Sequence, residues 1–445
     1  MTDATFSPPA RAGLLAADAR TRKRRAAEAR FKAYGIAAIA LSLVTLAVML
    51  VSILSDGISA FRQATLTFPV ELLEAELDES GTRDPAALRE VTTLGYGRLV
   101  DDAFVAHLEE RGLLGDTDPG EAEGILSREA PAKLRDRVLA DPDLIGRTIE
   151  VTVLAQGRID GFLKGRVTAQ TAERDGNTSP AQIALAQQLL DAGILRSSFN
   201  WDFITAPDAS DQRPEAAGLG VAILGSLYMM LLTALLSVPI GVAASIYLEE
   251  FAPKNWLTDL IEVNIANLAA VPSIVFGILG LAIFINFAEL PISSPLVGAL
   301  VLTLMTLPTI IIATRASLRA VPPSIRDAAL GVGASRMQTV FHHVLPLAMP
   351  GILTGTILGL ASALGETAPL LLIGMVAFVE NYPSAPPEGF TDPATALPVQ
   401  VYSWASRADP AFVERSAGAI IVLLLFLLVM NAVAILLRNR FERRW

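Results

Sequence analysis

Apolar and polar residues follow two different patterns along the chain. Six long apolar stretches cover residues 34–54, 218–248, 267–287, 295–314, 350–379 and 417–437. About 20 mostly apolar residues are enough for a helix to cross the ~30 Å hydrocarbon core of a membrane. The pattern therefore predicts six transmembrane helices, with the long segment 55–217 inserted between the first and the second.

The segment 55–217 has shorter and more polar patterns. Ile149, Val151 and Val153 alternate with polar residues, which predicts a strand. Apolar residues recur at helical spacing over residues 100–114 and 180–195. We therefore expect an α+β domain in this segment.

The composition indicates an integral membrane protein. Hydrophobic residues make up 52% of the 445 residues and charged residues 18%, whereas soluble domains are about 25% charged. The absence of cysteine excludes disulfides, thiol nucleophiles and Cys-ligated metal sites, and only three histidines are present. The net charge of −10 argues against nucleic acid as a partner.

Charge is distributed unevenly. Residues 55–217 carry 29 acidic and 16 basic side chains, a net −13, so the remainder carries 45 − 29 = 16 acidic and 35 − 16 = 19 basic ones, a net +3. Basic clusters at residues 20–25, 315–336 and 438–445 predict cytoplasmic ends and loops. Both termini are then cytoplasmic, and 55–217 is extracytoplasmic. Its acidic surface is either solvated or a docking face, and it is a poor receptor for a free anion.

The predicted organisation follows from these two patterns. It consists of a basic cytoplasmic tail (1–33), a first transmembrane helix (34–54), the extracytoplasmic domain (55–217) and a five-helix transmembrane domain (218–445) whose cytoplasmic loop covers about 315–349. The first apolar stretch is too long for a signal peptide, so we expect it to stay uncleaved. The bacterial inner membrane is the expected location.

A polar segment between the fourth and fifth apolar stretches carries the most informative motif. Ser324 is the predicted N-cap of a short helix through Leu330, which Gly331 and Gly333 interrupt. A second helix is expected to end at Pro346. Two short helices around a glycine break form a projection that fits a groove on a soluble partner.

This segment resembles the EAA loop of type I ABC-importer permeases. The matching residues are Asp327, Ala328, Ala329, Gly333, His343, Leu345 and Pro346. Asp327 replaces the family's Glu, and His343 replaces its Ile. The resemblance implies the fold of that family, and it implies that the loop docks on a separate ATPase subunit.

Segments 364–371, 395–402 and 430–440 are similar to the PstA family, the permease subunits of phosphate ABC importers. That resemblance implies a non-enzymatic subunit that imports inorganic phosphate and forms half of the translocation pathway. The implied partners are a PstC-like sister permease, a PstB-like ATPase dimer, a PstS-like binding protein and the lipid bilayer. The chain has no G-x-x-x-x-G-K-[ST] motif. No cofactor is therefore expected in it, and ATP–Mg is expected on the ATPase.

Four residues are candidates for the translocation pathway: Glu366, Thr367, Arg315 and Ser362. Charged residues inside spans are costly and are functional candidates for that reason. Glu366, expected inside the fifth span, either gates the pathway or pairs with a cation there, or it forms a helix-packing hydrogen bond. Arg315 either faces the anion or anchors the span at the cytoplasm. Ser362 and Ile312 stand where related permeases carry arginine, which keeps other oxyanions open.

Gly351, Gly355 and Gly359 recur every four residues, so one face of the helix has no side chains there and another helix can approach it closely. This face packs either on the sister permease or within the chain.

Alternative functions are a permease for sulfate, molybdate or phosphonate, a membrane sensor, and an intramembrane enzyme. The last of these lacks a His or Cys near Glu366 in sequence.

Overall fold

The computed structural model describes residues 19–78, 81–115, 117–375 and 378–441. The predicted basic tails lie partly outside these ranges, at residues 1–18 and 442–445. Residues 376–377, within the predicted fifth span, also lie outside. The chain divides into two compact units, residues 1–55 and 56–445.

The first unit contains most of helix α1 (Ala19–Gly57), a single helix of 39 residues. It includes the whole predicted span 34–54 and the basic residues 20–25. A helix of this length exceeds what a membrane crossing needs.

The second unit begins with a mixed helix-and-sheet region. Its helices are α2 (Glu74–Leu77), α3 (Pro85–Glu90), α4 (Thr93–Glu110), α5 (Pro119–Glu123), α6 (Ala130–Ala140), α7 (Gly157–Leu163), α8 (Ala169–Ala172), α9 (Pro180–Asp191) and α10 (Asp202–Thr205). Its strands are β1 (Arg62–Glu71), β2 (Thr148–Leu154) and β3 (Leu195–Phe199), and 3₁₀ turns cover Ile58–Phe61, Pro142–Leu144 and Pro214–Ala216.

The three strands form an antiparallel sheet in the order β2-β1-β3. Alternate residues of β1, from Ala64 through Phe68 to Val70, are buried. They pack with helix α4, where the Phe68 and Phe104 ring centroids are 5.0 Å apart. β2 lies at the predicted strand, and α4 and α9 overlap the two predicted helical segments. β1 was not predicted, and Pro69 within it is a residue type that argues against a central strand.

The remainder of the second unit is helical. Its helices are α11 (Gly220–Ile246), α12 (Trp256–Ala269), α13 (Ser273–Gly280), α14 (Pro295–Ala320), α15 (Pro323–Gly331), α16 (Arg336–Thr339), α17 (Leu345–Leu364), α18 (Ala368–Leu372), α19 (Leu397–Ala405) and α20 (Pro410–Phe441). π-helical turns cover Tyr247–Phe251, Leu281–Phe287 and Val340–Val344, and a 3₁₀ turn covers Glu388–Phe390.

Within the described ranges, five helices are long and apolar enough to cross a membrane. They are Arg20–Phe61, Gly220–Phe251, Pro295–Ala320, Arg336–Leu364 and Pro410–Arg440. A sixth span exists only if Trp256–Ala269 and Ser273–Phe287 are counted together, although they are bent by 102°. Six spans therefore stay a prediction.

Two predicted spans differ from the helices observed. The third, 267–287, is wrong as one helix because the chain breaks before Ser273, where Pro272 cannot continue the preceding helix. The fifth, 350–379, is too long because its helix ends at Leu364. Gly365 and the two non-helical residues after it separate that helix from α18.

Helices α11, α14 and α17 pack together as the centre of this region. Ser245 in α11 donates to the carbonyl of Ile311 in α14 at 3.1 Å, and Thr233 lies 3.5 Å from the carbonyl of Ala299. Gly241 permits this approach, because a Cβ there would lie 2.7 Å from Ile310. The small and hydroxyl residues of α11 thus set the spacing between the two helices.

Candidate coupling and translocation site

The predicted projection is present at residues 323–339, and we call it the coupling segment. It consists of α15, a glycine turn and α16. Gly333 has φ +92, whereas Gly331 is the last residue of α15 and has no positive φ. The left-handed conformation that favours glycine is therefore needed at Gly333 alone.

Two details of the predicted segment are wrong. The cap of α15 is Pro322 and the helix starts at Pro323, which places Ser324 inside it, since proline is well suited to the first helical position. Pro346 does not end a helix, because Arg336–Leu364 is continuous. The π turn Val340–Val344 precedes it, and the displaced backbone bonding there accommodates a residue without an N–H.

The coupling segment and the turn after it present an apolar surface. Leu330, Val332, Met337 and Phe341 are 45%, 85%, 59% and 45% exposed. Of the motif residues, Asp327, Ala328, Gly333 and His343 are exposed, Ala329 is buried, and Leu345 and Pro346 are half-buried. Because His343 is exposed, its replacement of the family's Ile does not change the packing inside this chain. An exposed cluster of this kind is typical of a protein–protein contact.

Arg326 connects the coupling segment to two membrane helices. Its guanidinium donates to the carbonyls of Leu318 and Val321 at the end of α14, at 3.0 and 2.8 Å. It also pairs with Glu250, in the π turn after α11, at 2.6 Å. One planar side chain thus ties α15 to the ends of both helices.

Arg315 and Arg319 extend this ion cluster. Arg315 is mostly buried and pairs with Glu249, 3.3 Å from Nε, and with Glu262 of α12. Arg319 pairs with the same Glu249 at 2.8 Å. Arg315 therefore has two carboxylates beside it and brings no uncompensated positive charge to an anion. Of its two predicted roles, the anchoring one fits this geometry better.

The sequence analysis missed Glu249, Glu250 and Glu262. A usable signal was present, since the first two follow a long apolar helix directly in the sequence Tyr247–Phe251. Acidic residues at such a position are costly near lipid unless they are paired. Their basic partners are the arginines that the topology had already placed at the same end of the spans.

The glycine series of α17 packs inside this chain. A Cβ on Gly351 would overlap Ser317 of α14, and one on Gly355 would overlap Ala313. At Gly359 the nearest atom, in Ile310, would be 3.5 Å away. Of the two alternatives, internal packing is therefore the one observed.

Glu366 lies outside the helix in which it was predicted. It occupies the short non-helical break between α17 and α18, is half-buried, and has no ion pair within the described ranges. Thr367 precedes α18 directly and is also half-buried. Ser362 is exposed and donates to the carbonyl of Leu358, one turn earlier in its own helix.

The structure does not bring the pathway candidates together. Gly355 of α17 contacts Ala313 of α14, and Gly351 contacts Ser317. Arg315, between those two α14 residues, therefore lies at the height of residues 351–355 along α17. Glu366 is about 15 Å further along the α17 axis at 1.5 Å per residue. Arg315 and Glu366 therefore belong to opposite ends of the helix pair.

A second ion cluster joins the mixed region to the start of α20. Lys164 bridges Asp160, at 2.7 Å, and Glu414, at 2.9 Å, and all three side chains are less than 10% exposed. Arg166 also pairs with Glu414. Asp160 accepts from the backbone N–H of Ala64 at 2.9 Å. The cluster was not predicted from the sequence because Glu414 is 250 residues from Lys164.

Comparisons with known proteins agree with this architecture. A family model described as "Binding-protein-dependent transport system inner membrane component" matches residues 237–445, and a "Domain of unknown function (DUF3333)" matches residues 18–173. The probable ABC transporter permease protein YqgI of Bacillus subtilis (strain 168) is 32% identical over 262 residues, which are 57% of this chain and 87% of the relative. The chain belongs to the ABC-transporter permease family.

Within that family the permease is similar to PstA proteins. Phosphate transport system permease protein PstA 2 of Mycobacterium tuberculosis (strain CDC 1551 / Oshkosh) is 32% identical over 56% of the permease and 79% of the relative. PstA of Yersinia pestis is 30% identical over 50% and 73%. A solved inward-facing MetNI methionine transporter chain has 14% identity and a TM-score of 0.40 over 50% of the permease and 95% of that chain, too low to assign a fold. The family model and the identities to PstA relatives confirm the predicted PstA-like ABC permease.

Proposed function

We propose that the permease is the PstA-like subunit of an ATP-driven importer of inorganic phosphate in the bacterial inner membrane. It forms half of the translocation pathway beside a PstC-like sister permease. A PstB-like ATPase dimer, which carries ATP–Mg, drives it, and a PstS-like protein delivers the anion. Both termini are cytoplasmic, and residues 55–217 face the outside. The names of the PstA relatives support the substrate, and the positions of basic residues support the orientation.

The observation that carries the transport mechanism is the link through Arg326. The exposed apolar surface of the coupling segment is available to the ATPase, and Arg326 connects this segment to α11 and α14. Movement of the ATPase subunits would displace α15. Because the Arg326 contacts join helix ends directly, that displacement would reach both membrane helices without an intervening flexible loop.

The anion needs partners that replace its water shell. Arg315 is engaged by Glu249 and Glu262, so we propose that the cationic part of the pathway comes from the sister permease. Glu366, in the break after α17, is the residue that we propose as a gate at the opposite end. Thr367 and Ser362 contribute hydroxyl groups on the same stretch.

Radiolabelled phosphate uptake at micromolar concentration tests the substrate. Cells that lack the permease and any second high-affinity phosphate importer should lose uptake, and return of the permease should restore it, with sulfate uptake unchanged throughout. Unchanged phosphate uptake in the deleted cells would discard phosphate. The ABC-permease assignment would stand, and sulfate, molybdate and phosphonate would be measured next.

Glu366→Gln tests the proposed gate in the same assay. It should lower phosphate uptake several-fold without reducing the amount of assembled transporter, because the carboxylate is lost while its volume is kept. Glu388→Gln is the matched control, since Glu388 is exposed in a 3₁₀ turn. Equal uptake by the two variants would remove Glu366 from the pathway.

A further inference from the structure

A polar cleft of about 940 Å³ opens between the mixed region and the segment before α11. Six acidic residues line it, namely Asp101, Glu121, Glu123, Asp211, Glu215 and Asp409, against two basic ones, Arg128 and Arg158. None of these residues belongs to the coupling segment or to the pathway candidates. The cleft is therefore separate from the transport machinery described above.

Two of the six acids have an ion pair among the described residues, Asp409 with Arg158 and Asp211 with Arg407, and the other four have none. Arg158 is held by Asp175 at 2.7 Å and by Asp409 at 3.3 Å. Arg128 donates to the side-chain oxygen of Gln212 at 2.8 Å. Within the described ranges Asp101 has no ion pair. The cleft thus keeps an excess of negative charge.

Glu215 supplies an independent sign that something binds here. Glu215 is 5% exposed, and its Oε1 accepts a hydrogen bond from the hydroxyl of Ser127 at 2.5 Å. The other, Oε2, has no hydrogen-bond partner among the described residues. A Cβ on Gly157, which also lines the cleft, would lie 3.0 Å from that oxygen, so the glycine leaves it open. A buried carboxyl oxygen without a donor is costly, and a ligand that donates would remove the cost.

We propose that this cleft binds an organic cation through its ammonium or guanidinium N–H groups, with Glu215 and Asp101 as the principal acceptors. Repulsion disfavours an anion. A metal ion is disfavoured because no group of three or more acidic or histidine side chains in the described ranges is arranged to hold one. The volume exceeds what one ammonium group fills, which favours a ligand with several donors.

The proton affinities of the two acceptors agree with this assignment. Burial raises the pKa of Glu215, although Ser127 and Arg415 act against that and Asp160 adds to it. Burial, with Glu123 and Asp102 nearby, raises the pKa of Asp101 to about 6. A bound cation favours the ionised form of both groups. Binding near pH 6 should therefore release protons and strengthen as the pH rises toward 7.

Such a cation has two possible sources, a free polyamine or a Lys or Arg side chain of a partner protein. Calorimetric titration of the purified full-length permease with spermidine, and separately with an arginine-rich peptide, distinguishes them. NaCl at matched ionic strength and MgCl₂ serve as reference titrants. Binding of spermidine indicates the free ligand, binding of the peptide alone indicates the partner, and both results support the cationic site.

Substitutions then locate the binding. Glu215→Gln and, as a second variant in case the first fails to fold, Asp101→Asn should each weaken the affinity at least tenfold and reduce proton release. Glu109→Gln removes an exposed carboxylate of α4 that does not line the cleft, and it should bind like the wild type. Absence of binding beyond the NaCl reference, or equal weakening in all three variants, would overturn the proposal.

Discussion

Replacement of Arg326 by Met should disconnect the coupling segment from the membrane helices. The substitution keeps an unbranched side chain but removes the hydrogen bonds to Leu318 and Val321 and the ion pair with Glu250. The Glu250 side chain is 10% exposed and has no other ion pair within the described ranges. The variant therefore leaves a nearly buried carboxylate without a partner.

The expected magnitude follows from that geometry. Breaking a buried ion pair costs about 3–5 kcal/mol, and each hydrogen bond from a charged donor contributes about 1.5–3 kcal/mol. Arg326 is 22% exposed, so water screens part of the interaction. We expect a loss of about 3 kcal/mol, which raises the population of the detached α15 about 150-fold at 1.4 kcal/mol per tenfold.

Hydrogen exchange over residues 323–331, measured in lipid nanodiscs, reports that population. The ratio of substrate transported to ATP hydrolysed reports the coupling. Arg326→Met should accelerate exchange about 150-fold and lower the ratio. Glu250→Gln in the same background should restore part of both, because it removes the orphan charge.

Arg319→Met is the comparator. Its guanidinium pairs with Glu249 but is 58% exposed, so it should cost about 0–1 kcal/mol. If Arg326→Met accelerates exchange no more than Arg319→Met does, and the transport ratio is unchanged, Arg326 is not the link between the coupling segment and the helices.

Three further substitutions test other positions. Gly333→Val should cost about 1–2 kcal/mol because φ is +92, and it should reduce co-purification of the ATPase, whereas Gly331→Ala, which meets open space, should not. Gly355→Leu should lower the free energy of unfolding by about 1–3 kcal/mol through overpacking against α14, and Tm should fall with it; an unchanged Tm would contradict that packing. The pKa of Asp101 is raised from 3.8 to about 6, so its contribution to stability is full below pH 4 and is lost as the pH rises through 6. Asp101→Asn should therefore flatten the dependence of Tm on pH between about 4 and 6. A Tm profile that matches the wild type would refute this contribution.

Long apolar runs predicted the membrane helices well where one helix fills one run. The predicted segment 218–248 agrees closely with α11, and 295–314 lies within α14. The failures at the third and fifth runs share one cause. Hydropathy does not register a change of backbone direction, and Pro272 and Gly365 end helices inside stretches that stay apolar.

The coupling segment was predictable because its chemistry is local. Its helices, its glycine turn and its exposed motif residues lie within about 25 consecutive positions. The ion clusters were not predictable in the same way. Glu250 and Arg326 are 76 residues apart, and Lys164 and Glu414 are 250 apart. Sequence showed the charges but not which of them the fold brings together.

The positions of the two ion clusters have a mechanical consequence. One joins the ends of α11, α14 and α15 to the middle of α12, and the other joins α7 to the first turns of α20. Charges placed at helix ends avoid the cost of burial in hydrocarbon. Between those ends, small residues such as Gly355 let α17 pack closely against α14, since a Cβ there would overlap Ala313. Displacement of α15 would thus move α11 and α14 as rigid bodies, whereas the mixed region would follow α20, to which buried charges attach it.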